Sequence, residues 1–173
     1  MKKAVIIILL IFFTCATNLF SFDFPAYSPI DIEELVEYFE TISNNNPPGV
    51  SFFDNRAVRI RANYLNPPAE LNENDIANLR STLRSLGIHP DNASQFGYKV
   101  EYTFPSAVDW QKETKLVFFI QNVQRPYFER DFEKNDTIYW FAVYRQFNTF
   151  SQVGYFVVSV FLNERYFIEY GIE

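Results

Sequence analysis

The chain has 173 residues, of which 21 are acidic and 15 basic, and its formal net charge is −6. That length suits one domain with a proper core, and an acidic surface disfavours nucleic acid, whose phosphates it would repel. A single histidine, His89, and a single cysteine, Cys15, are too few to assemble a usual zinc, copper or haem site, so no cofactor is expected.

The chain opens on Met1-Lys2-Lys3, an apolar run over 4–13, and Thr14-Cys15-Ala16. A positive start, a short apolar stretch and small residues near a cleavage point describe a secretory signal peptide over 1–21, cut after Ala16 or Ser21. The apolar run falls short of the roughly 20 residues that a spanning helix needs. Cys15 offers a rival reading as a lipidated first residue, but Phe12 and Thr14 depart from the Leu and small residue usual before such a cysteine. The Lys-Lys start suits a bacterial protein, exported to the periplasm or cell surface. A single domain is expected over 22–173. It carries a charge of −8, since two lysines and no acidic residue leave with 1–21, and no disulfide staples it.

Ser28-Pro29-Ile30-Asp31 predicts a helix start, with Ser28 as cap, Pro29 at the first position and Asp31 completing a capping box. Ile32, Leu35, Val36, Phe39 and Ile42 make one apolar face, and the Asn-Pro-Pro run at 46–48 ends the helix. Residues 50–53 and 56–65 read as a hairpin about Asp54-Asn55, with Val58, Ile60 and Ala62 alternating with Arg59, Arg61 and Asn63. A second helix comes next, capped by Asn72 with Asp75 three residues on. Ile76, Leu79, Leu83 and Leu86 form its stripe, and Gly87 takes the left-handed position at its end. After a loop over 89–97, Tyr98, Val100, Tyr102 and Phe104 alternate with polar residues as a half-buried strand.

From 115 to 172 the chain is dense in aromatic and β-branched residues, which pack well on pleated surfaces. Strands are expected at 115–124, 137–147, 153–162 and 165–172, with turns at 133–136, 148–152 and 163–164. Asn135 is the residue best suited to positive φ. Strand 137–147 is apolar on both faces, with Ile138, Trp140, Ala142 and Tyr144 on one and Tyr139, Phe141, Val143 and Phe147 on the other, so it should be central.

The expected fold is α+β: two helices packed on one face of a curved antiparallel β-meander, or a partly closed barrel. In architecture this layout resembles many cystatin-like and NTF2-like domains. No motif carries the resemblance, so no residue roles come with it.

Chemistry is sparse. Gly-x-Ser-x-Gly and phosphate-cradling glycine loops are absent. Glu129, Asp131 and Glu133 would share a face if extended, but the calcium-loop pattern fails at Asp136 and Ala142, and a solvated charged turn explains them. Candidate partner-binding residues are Trp110 in a loop, Tyr127 and Phe128 after Pro126, and the basic pair Arg59 and Arg61. The reading is an exported, non-enzymatic envelope protein that binds another protein or joins an envelope assembly. The alternative is a small-molecule or lipid binder with an aromatic-lined cavity between helix and sheet.

Overall fold

The computed structural model describes residues 27–46, 51–108 and 112–169. The expected signal segment, the Asn-Pro-Pro run beyond Asn46, Trp110 and the end of the last expected strand lie outside the described residues. Among the described residues seven strands form one sheet: β1 (Ser28–Asp31), β2 (Ser51–Asn63), β3 (Ala69–Glu70), β4 (Phe96–Pro105), β5 (Glu113–Gln121), β6 (Thr137–Asn148) and β7 (Val153–Asn163). The α-helices among the described residues are α1 (Ile32–Asn44), α2 (Glu73–Ser85), α3 (Arg125–Asp131) and α4 (Glu164–Glu169). The class is α+β, and the sheet is open, with β1 and β3 at its edges.

The strand order is β1-β2-β6-β7-β5-β4-β3. This is a mixed sheet rather than a sequential antiparallel meander, because β1 runs parallel to β2 and β5 parallel to β7. The chain leaves β5 through a 3-10 turn and α3, and that connection carries it past the position beside β5, which β7 then takes.

Two elements formed as the residue pattern predicts. Helix α2 carries the full capping box between Asn72 and Asp75 and buries Leu79 and Leu83. It ends in a Schellman turn: Ile88 N–H donates to the Leu83 carbonyl, Gly87 N–H to that of Arg84, and Gly87 has φ +77°. Strand β4 alternates buried Val100 and Tyr102 with exposed Glu101 and Thr103.

Four local expectations give way to tertiary pairing. Ser28–Asp31 is not a helix cap but strand β1, in register with Val58–Arg61 of β2. Asp31 is still the N-cap residue of α1, yet its side chain makes no cap hydrogen bond. The hairpin expected about Asp54-Asn55 is one long strand, since its two halves both pair with β6, and those residues mark the register shift between Phe53 and Arg56. A second shift, between Tyr144 and Phe147, turns Phe147 to the same face as Trp140 and Tyr144. The strand expected at 165–172 is replaced by α4, whose start Asn163 caps by accepting from Arg165 N–H at 3.1 Å.

The helices do not share a face. Helix α1 and α3 cover one side, where Leu35, Phe39 and Phe128 pack with Ile60, Phe118, Trp140, Tyr144 and Phe156. Helix α2 covers part of the other, where Leu79 and Leu83 pack on Val117, Phe119 and Val157. A two-sided sheet explains why the β5, β6 and β7 segments are apolar in both parities. Asn135 does turn the chain with φ +75°, ahead of β6.

Candidate interaction surface

The far face of the sheet, beyond the reach of α2, is where the arginine pair sits. Alternation along β2 sends Val58, Ile60 and Ala62 into the core and leaves Arg59 and Arg61 on the opposite side. Register then sets Arg59 against Phe141 and Arg61 against Tyr139 on β6. Tyr27 packs edge-on against Phe141, with ring centroids 5.5 Å apart, and donates its hydroxyl hydrogen bond to Ser159 Oγ. Ala57, Tyr139, Val160 and Leu162 surround this pair only partly buried.

Between β1, the start of α1 and β2 lies a groove of about 450 Å³, lined by Pro29, Ile30, Asp31, Arg59, Arg61 and Tyr139, with Glu34 on its rim. Arg61 reaches Asp31 at 3.8 Å, a loose and solvated contact. Burial pushes the Tyr139 phenol above its usual range and Glu164 adds to this. The Arg61 guanidinium, which hydrogen-bonds it, and that of Arg59 pull the other way. The groove therefore combines two cations, a phenol and two carboxylates, while the Ile30 side chain, in register with Ile60, packs on the α1 side of the sheet.

The other predicted site residues do not join it. Tyr127 is half-buried on α3, on the opposite side of the sheet, with the Arg130 guanidinium 4.7 Å from its ring centre. Phe128 is not a surface anchor at all: it is fully buried, 4.0 Å from Phe161 between ring centroids. The helical turn after Pro126 buries one of two adjacent aromatic residues fully and leaves the other half-buried against the same core. Trp110 lies outside the described residues.

Glu129 and Asp131 belong to α3 rather than to an extended segment. With Glu133, Asp136 and Arg165 they line a polar recess of about 560 Å³. Its chemistry is mostly internal: Arg130 forks onto the Asp131 carboxylate at 2.6 and 2.7 Å, and Glu129 faces Arg125 at 3.7 Å. No group of three or more metal-binding side chains occurs among the described residues. His89 is exposed and serves locally, accepting from the Asp91 N–H at 3.4 Å.

Neither a protein-family model nor any curated protein matches this chain.

Residue patterns pointed to Arg59 and Arg61 but not to Asp31, Ile30 or Tyr139 beside them. The alternation of β6 would have set Tyr139 opposite Trp140, but its pairing with Arg61 depends on which strand lies next to β2. That is a tertiary fact.

Proposed function

We propose that the chain is an exported, non-enzymatic protein of a bacterial envelope that binds another protein through the far face of its sheet. The observation that carries this reading is the row of partly buried apolar side chains, Ala57, Tyr139, Val160 and Leu162, set beside Arg59 and Arg61. An apolar centre with cationic and aromatic residues at its margin is the composition of a protein-binding patch. The competing cavity binder needs open space between helix and sheet. Phe39, Phe118, Trp140, Tyr144 and Phe156, each essentially unexposed, occupy that space.

In this reading α1 against β2, β6 and β7 is the helix-on-sheet unit of a cystatin- or NTF2-like layout, with α2 added to the far face. Periplasmic or cell-surface location belongs to the same proposal and rests on the signal-like start. Among the described residues no helix is long and apolar enough to cross a membrane.

The test is affinity capture of the tagged chain from envelope extracts, with mass spectrometry of what is retained. The expected result is a stoichiometric protein that the wild type retains and a folded Leu162→Glu variant loses. Retention of a stoichiometric small molecule with no protein would overturn the proposal.

A further inference from the structure

The outer edge of β4 is open beyond Lys99. Leu71 N–H donates to the Gly97 carbonyl at 2.9 Å and Ala69 lies in register with Lys99, so odd-numbered residues of β4 turn their backbone groups towards β3. Ser106 N–H donates to the Lys112 carbonyl, which puts even-numbered residues on the β5 side. Strand β3 pairs only through Ala69 and Glu70. In the continued register Pro67 would fall opposite Glu101, and it has no N–H to give. Among the described residues, the backbone groups of Glu101, Thr103 and Pro105 make no hydrogen bond on this side. The row offers the N–H groups of Glu101 and Thr103 and the carbonyls of all three residues, each of them exposed.

A second copy of the chain fits this edge poorly. Two β4 strands paired about Thr103 would set Pro105 of each opposite Glu101 of the other, and proline has no N–H for the ladder. The copy's Ala107 would then fall opposite Lys99, a place that Ala69 already fills. Both chains would also carry the same net charge of −6. Such features guard an edge against pairing with itself. A short extended segment of another protein meets none of these obstacles. Alternate residues of it would exchange hydrogen bonds with Glu101 and Thr103 and reach the Pro105 carbonyl. The two residues between would stand opposite Tyr102 and Phe104, on the side of the main core, where Phe104 is only partly buried. Apolar side chains suit those two positions, and polar ones suit the positions opposite Glu101 and Thr103.

We infer that the β4 edge takes up an extended segment of a partner protein as an added strand, antiparallel to β4 and in the direction of β3, with alternate apolar residues beside Tyr102 and Phe104. The inference stands on this edge alone and is separate from the far-face reading above.

The experiment titrates the purified chain with the capped peptide Ac-Lys-Val-Thr-Val-Lys-NH2 and follows backbone amide signals by NMR. The Glu101 and Thr103 amides are expected to shift saturably and to gain protection from hydrogen exchange. An affinity on the order of millimolar suits so small a ligand. The same peptide N-methylated at its central threonine keeps every side chain but loses the donor that faces Thr103, and it should bind at least about tenfold more weakly. Thr103→Pro removes the N–H on the open side and leaves the ladder with β5 intact, so it should fold and abolish the response. Thr103→Val keeps the N–H and should respond as the wild type does. Leu162→Glu, on the far face, should leave the response unchanged.

Equal binding of the N-methylated peptide, the absence of a saturable response, shifts confined to residues away from β4, or an unchanged response in folded Thr103→Pro would each overturn the inference. So would a dimer of the chain in solution that Thr103→Pro dissociates, since the edge would then belong to a second copy. If Thr103→Pro fails to fold, the comparison of the two peptides on the wild-type chain decides alone.

Discussion

Asp75 shows how one side chain can serve two elements. Its backbone N–H donates to Asn72 Oδ1 and its Oδ2 accepts from the Asn72 N–H, both at 3.0 Å, closing the capping box of α2. Its Oδ1 accepts from Lys99 Nζ at 2.9 Å, tying α2 to β4. Burial pulls the Lys99 ammonium down, but the hydrogen bond and charge of Asp75, with help from Glu101, outweigh it and leave the pKa above 10.5. The pair's contribution is therefore complete below that value and is lost as pH rises through the higher folded one. Asp75→Ala should cost about 1–3 kcal/mol at neutral pH through the lost cap and a lysine left with Glu101 alone, at 3.3 Å. Urea titrations should show the gap from wild type narrowing once pH passes 10.5. Two neighbours on α3 make the opposite contrast. Phe128→Ala should cost about 3–5 kcal/mol by opening a cavity against Phe161 and Trp140, and Tyr127→Ala less than about 1 kcal/mol. Similar losses at both positions would mean that Tyr127 is core as well.

At the scale of elements, Asn163 sets the course of the chain after β7. Its Nδ2 donates to the Asp131 carbonyl at 2.8 Å and to Asp136 Oδ2 at 2.9 Å. Its Oδ1 accepts from Arg165 N–H. One buried amide so joins the end of α3, the turn before β6 and the start of α4. The Asp131 carbonyl and Asp136 Oδ2 each accept a second hydrogen bond, from Arg165 Nη2 and the Glu133 N–H, both at 2.9 Å, so Asn163 completes a network rather than pairing orphans. Asn163→Ala should lower stability by about 1–2 kcal/mol. Hydrogen exchange should accelerate first in α4 and in the turn over 133–136; uniform acceleration across the sheet would argue against this local role. Asn163-Glu164 fails as a hairpin turn for the same reason: the Asn163 side chain is already committed to capping.

For the molecule as a whole, the sheet is a shared wall between two cores. Phe118 and Trp140 face α1 and α3, and Val117 and Phe119, on the same strand as Phe118, face α2. Neither core can open without stripping one face of β5 and β7. A single cooperative transition is expected, with tryptophan fluorescence of a Trp110→Phe variant, which leaves Trp140 as the emitter, and far-ultraviolet dichroism giving the same urea midpoint. Midpoints that separate would show that α2 and its layer unfold on their own. Gly154 adds a local measure of packing on the α1 side. A Cβ there would meet Phe39, Phe156 and Leu116 at 3.1–3.3 Å. Gly154→Ala is expected to cost about 1–3 kcal/mol by overpacking, read from the same midpoints.

Residue pattern alone determined the α+β class, the apolar face of α1, the capped helix α2 with its Gly87 stop, the alternation of β4 and the positive φ at Asn135. Each depends on interactions within a few residues: periodicity, a cap, a left-handed turn. It also separated Arg59 and Arg61 from the core face of β2. Only the tertiary structure decided the rest. Ser28–Asp31 is strand rather than cap because β2 offers it a hydrogen-bonding edge, and 51–63 is one strand because β6 is long enough to pair with all of it. The order β6-β7-β5 arises from α3, which the aromatic run around Pro126 concealed. The groove beside Arg61 shares that dependence. Its arginines were legible as a charged stripe, but its phenol and its carboxylate come from β6 and β1, and only strand register brings them beside Arg61.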